Sequence, residues 1–377
     1  MTAPAPRSQP VVGHLGRWGI EPLALLEEGA RLGPVFRLRL WRPAIVGYSP
    51  SWNRFVLGDL TTFRSRGSMS GLSPYLGAGV VQLDAPAHAE RRRDLNPAFS
   101  RRALGALTDQ LCDIVTRALP QGRFDAVAWS AALLQEILGE TLLDGQVPPR
   151  LLAAFLRPLD RALPAPFLPR PILFRRMNTV LRRALDTAPA DSLTGHFQGL
   201  TDGVDELRVA LSAGYDTTAH TLAWLLAHAA QDPTMLDPAR RSMVIDEVLR
   251  LYPAGWLGSR RCARDVEFDG IVIKRGTLVL YSPFLTHRDP QLWKNPLQFD
   301  PERFRGPIPA WGFIPFAAGE RSCLGRAFAR LVLHVVLEVL TDRQLQFLGG
   351  DLRPRAAITL TPTGPLHLYL APAKGPA

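Results

Sequence analysis

The chain has 377 residues, of which 46% are hydrophobic, and its mean hydropathy is near zero. This composition predicts a globular protein with a large core and excludes an intrinsically disordered chain. The net charge of +10 favours an acidic partner. It does not distinguish nucleic acid, an anionic membrane and an acidic protein, and a solvated basic surface explains it equally well.

Cysteine usage and hydropathy together favour a reducing compartment. The chain has three cysteines, Cys112, Cys262 and Cys323. An odd, sparse count argues against a disulfide framework, and at least one thiol must be free. Residues 1–10 lack the apolar stretch of a signal peptide or anchor, and the apolar run 209–230 contains three ionisable side chains, so it is typical of a buried helix. We expect a cytoplasmic protein.

The periodicity of apolar residues predicts many helices and a few short strands. Helices are predicted at residues 18–32, 84–117, 129–143, from 175 onward, and at 204–231, 238–251 and 325–340. Strands are predicted at 35–40, 44–48, 266–273 and 277–281, with a hairpin formed by 358–360 and 366–370. The apolar segment 156–174 contains five prolines and is too broken for one helix. No repeat or linker divides the chain, so we expect a single domain over residues 1–377, mainly α with small β-sheets.

The most informative segment is Phe-Ala-Ala-Gly-Glu-Arg-Ser-Cys-Leu-Gly at residues 316–325. It resembles the haem-binding loop of the cytochrome P450 family, Phe-x-x-Gly-x-Arg-x-Cys-x-Gly, at every fixed position. Matches at this many set positions arise by chance on the order of 10⁻⁷ per position. The resemblance implies the cytochrome P450 fold, with haem b (iron protoporphyrin IX) between the long helix at 204–231 and the helix at 325–340.

Within this loop the resemblance assigns a role to each fixed residue. Cys323 is the axial thiolate of the iron, an electron-rich ligand suited to cleaving the O–O bond. Gly319 and Gly325 let the backbone approach the porphyrin. Phe316 packs on the loop, and Arg321 pairs with a haem propionate. The alternative for a cysteine is a small buried hydrophobe, and we adopt it for Cys112 but not for Cys323.

A second motif, Ala-Gly-Tyr-Asp-Thr-Thr at 213–218, resembles the oxygen-activating sequence of the same family. Gly214 and Thr217 share a helix face, and a glycine within a helix costs about 1 kcal/mol, which room for dioxygen would justify. The resemblance implies that Thr217 is a hydroxyl donor beside the oxygen and that Asp216 relays protons. The alternative is an ordinary helix whose threonines bond to preceding carbonyls.

Further motifs resemble family landmarks along the rest of the chain. The structural triad expected from Glu-x-x-Arg and its partner consists of Glu247, Arg250 and Arg303. Further propionate-binding residues are expected at His88, Arg92 and Arg260. The sequence His-Arg-Asp-Pro at 287–290 matches another landmark. A surface ion pair is the alternative for Glu-x-x-Arg, and a basic surface helix is the alternative for Arg91 and Arg93.

The implied activity is insertion of one oxygen atom from O₂ into a C–H bond of a lipophilic substrate. No flavin or iron–sulfur segment is present, so we expect an acidic ferredoxin, with its reductase, as electron donor, docking near Arg326 and Arg330. Nucleic acid is not expected as a partner. Rival interpretations are a haem-binding sensor or electron carrier, and a peroxygenase; the pair Asp216 and Thr217 argues against both.

The substrate is predicted from residues expected to line the pocket. These lie in 64–82, in the proline-rich segment, and in 209–214, 254–257 and 358–363, and they are mostly apolar. The run 250–261 resembles the matching region of bacterial carotenoid ring hydroxylases, which suggests hydroxylation of a carotenoid β-ring. The alternative is a core-packing Trp256 with a general terpenoid or fatty-acid pocket. Residues 163–174 are expected to contact a membrane peripherally.

Overall fold

The fold was determined from a computed structural model, which describes residues 3–68, 73–160 and 170–372. The α-helices of this part are α1 (Leu15–Ile20), α2 (Pro22–Ala30), α3 (Pro50–Gly58), α4 (Ser73–Leu76), α5 (Ala87–Leu95), α6 (Arg101–Gly105), α7 (Thr108–Ala118), α8 (Ala126–Thr141), α9 (Pro149–Leu156), α10 (Pro171–Thr187), α11 (Gly203–Ala229), α12 (Arg241–Leu251), α13 (Pro283–Thr286) and α14 (Arg326–Val339). The predicted class, mainly α with small β-sheets, is confirmed.

The strands form small sheets at the edges of the helical body. They are β1 (Val35–Arg39), β2 (Pro43–Gly47), β3 (Phe63–Arg64), β4 (Gly122–Asp125), β5 (Gly258–Cys262), β6 (Val266–Phe268), β7 (Ile271–Ile273), β8 (Leu278–Tyr281), β9 (Leu345–Gly350), β10 (Pro354–Ala356), β11 (Leu360–Pro362) and β12 (Leu366–Leu370). The largest sheet has the order β1-β2-β8-β5-β3, with β2 parallel to β8. This sheet places β5 beside the central cavity.

Helix α11 crosses the centre of the molecule and organises the core. It packs against α8, α12 and α14, and most of its side chains are buried around the whole circumference, as expected of a core helix. Asp205 and Glu206 in its first turn complement the positive end of the helix dipole. The predicted bounds, 204–231, differ from the observed ones by one or two residues.

Two long predicted helices are divided in the structure, each at a proline. The region 18–32 becomes α1 and α2, because Glu21 leaves the helical conformation just before Pro22. The region 84–117 becomes α5, a 3₁₀ turn, α6 and α7. The 3₁₀ turn contains Pro97, and Ser100 then caps α6 by accepting a hydrogen bond from the Ala103 N–H.

The predicted hairpin between 358–360 and 366–370 is wrong. Strand β11 pairs with β10, and β12 lies between β4 and β9. Alternating apolar residues specify which side chains are buried, but they do not specify which strand supplies the hydrogen bonds. Among the described residues, none of the helices combines the length and the apolar character required to cross a membrane.

Candidate active site

The cysteine loop is a tight turn that leads into α14. The Cys323 N–H donates to the Phe316 carbonyl oxygen at 2.8 Å, and Ala317 and Gly319 have φ values of 54° and 69°. A Cβ atom at Gly319 would lie 2.8 Å from the Leu57 carbonyl oxygen. Gly319 therefore makes a close approach to the end of α3, and Gly325 lines the central cavity.

The thiol of Cys323 faces an internal cavity. Part of the surface of Cys323 is accessible, but that surface faces the cavity, which has a volume of about 410 Å³. The sulfur therefore lies inside the protein. Burial raises the pKa of the Cys323 thiol, while the backbone N–H of Gly325 and the charges of Arg92 and Arg326 lower it. A metal ion at the sulfur would replace the proton outright.

The opposite wall of the cavity is the middle of α11. Gly214 and Thr217 both line it, as their shared helix face predicts. The Thr217 hydroxyl donates to the Ala213 carbonyl oxygen at 2.6 Å. This is the bond to a preceding carbonyl that an ordinary helical threonine makes. The hydroxyl oxygen of Thr217 can still accept a hydrogen bond. A Cβ at Gly214 would lie 3.4 Å from the Leu138 Cδ2 atom, so protein packing alone does not require glycine there.

Asp216 points away from the cavity that its neighbour Thr217 lines. Its carboxylate is buried and accepts a hydrogen bond from the Thr359 hydroxyl at 2.7 Å. Its Oδ1 atom lies 3.3 Å from Nδ1 of His220. Burial raises the pKa of Asp216 to about 7, and the hydrogen bond from Thr359 only partly offsets this. The predicted relay residue therefore lies behind the cavity-facing side of the helix.

Four basic side chains predicted to bind propionates converge on one side of the cavity. His88, Arg92, Arg260 and Arg321 all line it. Burial, together with the charges of the three arginines, lowers the pKa of His88 to about 4. Arg92 donates to the Ser322 carbonyl oxygen at 2.6 Å, and Arg321 donates to the Leu83 carbonyl oxygen.

This cluster has more positive charge than its neighbours neutralise. Within the described residues, the one carboxylate near it is Asp84, 3.9 Å from Arg321. The Nε atom of Arg260 and the Nδ1 atom of His88 are buried with no hydrogen-bond partner in the described part of the chain. Buried polar groups without partners are rare, so this edge of the cavity is built for an anion. The two carboxylates of a haem fit this chemistry.

The side chains of the predicted structural triad are buried and bonded to one another. Arg250 donates to both oxygens of Glu247, at 2.7 and 2.8 Å, and Arg303 donates to Glu247 at 3.2 Å. Arg250 also donates to the carbonyl oxygens of His287 and Pro296, at 2.6 and 2.7 Å. The side chains of Glu247 and Arg250 have no exposed surface, so the surface-pair alternative is wrong.

Three of the segments predicted to line the cavity do line it. Apolar groups come from Val80 and Val81, from 209–214 and from 254–257, as predicted. Of the described residues that line the cavity, none comes from 358–363, because that segment packs on the far side of α11. The residues missed by the sequence analysis include Leu95, Phe99, Leu138, Leu142, Leu193 and Phe197. Their helical periodicity marks them as buried, but cannot show that they face a cavity.

Arg91 is not a surface residue of a basic helix. Its guanidinium donates to Glu206 at 2.6 Å and to Asp202 at 2.8 Å. Glu206 is almost fully buried, lines the cavity, and also accepts the Val80 N–H at 2.9 Å. Arg91 therefore joins α5 to the start of α11 and to the wall formed by Val80. Arg93, on the same helix, is exposed, as expected for a residue of a basic surface helix.

Trp256 is a core residue. It is 4% exposed, its indole N–H donates to the Ala357 carbonyl oxygen at 3.2 Å, and its ring lies 6.1 Å from that of Trp18. The cavity surface next to it is formed by Ala254, Gly255 and Leu257. This is the arrangement that the sequence analysis weighed against the carotenoid interpretation.

Comparison with known proteins agrees with the site. The family model for cytochrome P450 matches residues 241–343. The chain is 26% identical to cyclooctatin synthase of Streptomyces melanosporofaciens, over 98% of this chain and 95% of that protein. It is 27% identical to cyclooctat-9-en-7-ol 5-monooxygenase of the same organism, again over 98% and 95%.

A solved structure shows the same fold. Retinoic acid bound cyanobacterial CYP120A1 superposes with a TM-score of 0.86, covering 98% of this chain and 99% of that one, at 21% identity. The chain therefore belongs to the cytochrome P450 family, and it is an enzyme of the monooxygenase class. The family implies a haem cofactor, redox partners and lipophilic substrates. The roles of individual site residues stay predictions.

Proposed function

We propose that this chain binds haem b and inserts one oxygen atom from O₂ into a C–H bond of a terpenoid substrate. One observation carries the proposal. A single cavity places the Cys323 sulfur on one wall, Gly214 and Thr217 on the opposite wall, and unneutralised arginines at its edge.

Different residues of the cavity have different roles in this reaction. When bound, the haem supplies the redox chemistry that activates O₂. Cys323 is the thiolate that ligates its iron, and Arg92, Arg260, Arg321 and His88 hold its carboxylates by charge-assisted hydrogen bonds. Thr217 presents a hydroxyl at the opposite wall, and Asp216 holds a proton behind it.

The apolar lining excludes water and selects a hydrocarbon. Apart from the basic edge and Glu206, the wall is formed mainly by Leu, Val, Phe and Ala side chains. The two Streptomyces relatives modify terpenoids, and the buried Trp256 fits the alternative of a core-packing tryptophan with a general terpenoid pocket. A cyclic terpene is therefore our preferred substrate, ahead of the carotenoid β-ring.

The electron donor that we propose is an acidic ferredoxin. Arg326 at the start of α14 is exposed, as are Arg101 and Arg102 on α6, which packs against α14. Arg330, the other predicted docking residue, pairs with Asp246 of α12, so its charge is already neutralised. We therefore assign docking to Arg326, Arg101 and Arg102.

Peripheral membrane contact through 163–174 stays a prediction. Residues 163–169 lie outside the described part of the chain. Ile172, in the first turn of α10, is 65% exposed between Arg170 and Arg176. An apolar side chain flanked by basic ones suits the surface of an anionic membrane.

Turnover with isotopically labelled O₂ tests the proposal. The purified protein is supplied with a ferredoxin, its reductase and a panel containing a cyclic terpene, a carotenoid and a fatty acid. We expect a spin-state shift and one labelled oxygen atom in the terpene product. Oxidation of the carotenoid alone would reverse the substrate assignment. Product formation with hydrogen peroxide alone would indicate a peroxygenase, and absence of any oxidation would indicate a sensor or electron carrier.

A further inference from the structure

A chain of three polar side chains lies behind the distal helix. Nδ1 of His220 is 2.9 Å from the Thr359 hydroxyl, and that hydroxyl is 2.7 Å from Oδ2 of Asp216. All three are buried, at 9%, 3% and 2% exposure respectively. His220 is one helical turn after Asp216, whereas Thr359 comes from the segment just before β11.

The directions of these hydrogen bonds follow from the donors available. An ionised carboxylate can only accept, so the single proton of the Thr359 hydroxyl must point to Asp216. The Thr359 oxygen is then free to accept, and Nδ1 of His220 must supply the proton. The three groups are thus polarised in one direction, from the imidazole to the carboxylate.

The backbone that carries Thr359 is fixed to the wall of the active-site cavity. The Trp256 indole donates to the Ala357 carbonyl oxygen at 3.2 Å, and the Leu360 N–H donates to the Ala254 carbonyl oxygen at 3.1 Å. Ala254 lines the cavity. Thr359 therefore has a fixed position relative to both Asp216 and this wall of the cavity.

We propose that Thr359 and His220 are positioning residues that orient Asp216 and refill its proton during oxygen activation. The inference rests on the proposed monooxygenase function. In each refill, the other ring nitrogen of His220 takes up one proton from solvent while Nδ1 gives its proton to the Thr359 oxygen and the Thr359 hydroxyl proton passes to the Asp216 carboxylate. The imidazole is neutral before and after, proton exchange with solvent restores its Nδ1–H form, and the net change is one proton moved from solvent to the carboxylate.

Two further observations support the arrangement. Burial raises the pKa of Asp216 to about 7, so the carboxyl group can both hold and release a proton near neutral pH. Asp216 is followed directly by Thr217, whose hydroxyl oxygen lies at the cavity wall. Asp216, the last of the three polar groups, is therefore adjacent in sequence to a residue of the cavity wall.

Five variants of the haem-containing enzyme test the proposal. Thr359→Val removes the hydroxyl and keeps the shape, Thr359→Ser restores the hydroxyl, and His220→Gln removes the titrating ring. Thr361→Val is the matched control, because Thr361 is a buried threonine two residues further along. Product formed per electron pair and hydrogen peroxide released are measured with the solvent isotope effect on turnover. The carboxyl stretching band of protonated Asp216 is measured by infrared difference spectroscopy, with Asp216→Asn to assign it.

We expect Thr359→Val and His220→Gln to lower product formation on the order of tenfold and to raise peroxide release. Thr359→Ser recovers most of the activity, and Thr361→Val behaves as wild type. Thr359→Val also moves the Asp216 band to higher frequency, because its hydrogen bond is lost. The proposal is overturned if Thr359→Val matches Thr361→Val in coupling. If the wild type shows no turnover, the proposed function fails. The infrared band then tests the hydrogen bond from Thr359 to Asp216 by itself, and an Asp216 band that does not move in Thr359→Val overturns that hydrogen bond.

Discussion

The imidazole of His287 accepts the backbone N–H of Ile314 at 2.8 Å, two residues before the cysteine loop begins. Its other nitrogen donates to the Arg250 carbonyl oxygen at 3.2 Å. Burial and the charges of Arg250 and Arg288 lower the pKa of His287 well below its ordinary range, so the ring stays neutral and can make both bonds. His287 therefore links the buried triad to the loop that carries Cys323.

Replacing His287 by alanine tests this link. The Ile314 N–H would be left buried without an acceptor, which costs about 1–3 kcal/mol in addition to the cavity created. We expect a lower melting temperature and faster loss of haem. His367→Ala, which removes an exposed ring from β12, serves as the control. Equal haem retention in the two variants would contradict the proposed role.

Gly214 gives a prediction in which stability and activity change in opposite directions. Alanine at this position meets only Leu138, at 3.4 Å, and alanine favours a helix by about 1 kcal/mol over glycine. We expect Gly214→Ala to keep or raise the melting temperature and to lower product formation, because the methyl group occupies space at the cavity wall. Gly139→Ala in α8, outside the cavity lining, should gain stability without losing activity. Full activity of Gly214→Ala would show that the space is not used.

The pKa of Asp216 makes stability depend on pH. Burial raises this pKa from 3.8 to about 7, so the folded protein holds the proton more tightly than the unfolded chain. The resulting stability is fully present below pH 4, is lost as pH rises, and is gone above about pH 7. Asp216→Asn removes the titration. The melting temperature of Asp216→Asn relative to wild type should therefore increase from pH 4 to 7 and then level off. The corresponding change in the free energy of unfolding is at most about a few kcal/mol. A difference that does not change with pH would contradict this.

Arg91 and Arg93 lie two residues apart on α5 and differ in their partners. Loss of the Arg91 side chain leaves the buried carboxylate of Glu206 without its cation, which costs about 3 kcal/mol or more. We expect Arg91→Ala to destabilise the protein and to weaken substrate binding, because Val80 is held by the same carboxylate. Arg93→Ala should change stability by less than about 0.5 kcal/mol. The double variant Arg91→Ala, Glu206→Gln should lose less than the sum of the single losses.

The sequence could predict the centre of this site because its residues occur in compact motifs. Cys323, Arg321 and Gly325 lie within one loop, and Gly214 and Thr217 lie on one helix face, so spacing alone brings each group together. The contact of Asp216 with Thr359 spans 143 residues, and that of Arg91 with Glu206 spans 115. No local pattern encodes such pairings. The partners of β12 were missed for the same reason, since alternation specifies the buried face and not the neighbouring strand.

The spectrum of the purified, reduced protein under carbon monoxide tests the central claim, that the Cys323 sulfur is the thiolate ligand of the haem iron. We predict the long-wavelength band characteristic of thiolate ligation in the wild type and in the Cys112→Ser and Cys262→Ser variants, and its loss in Cys323→His. A Cys323→His protein that binds haem and keeps the wild-type band would contradict the assignment.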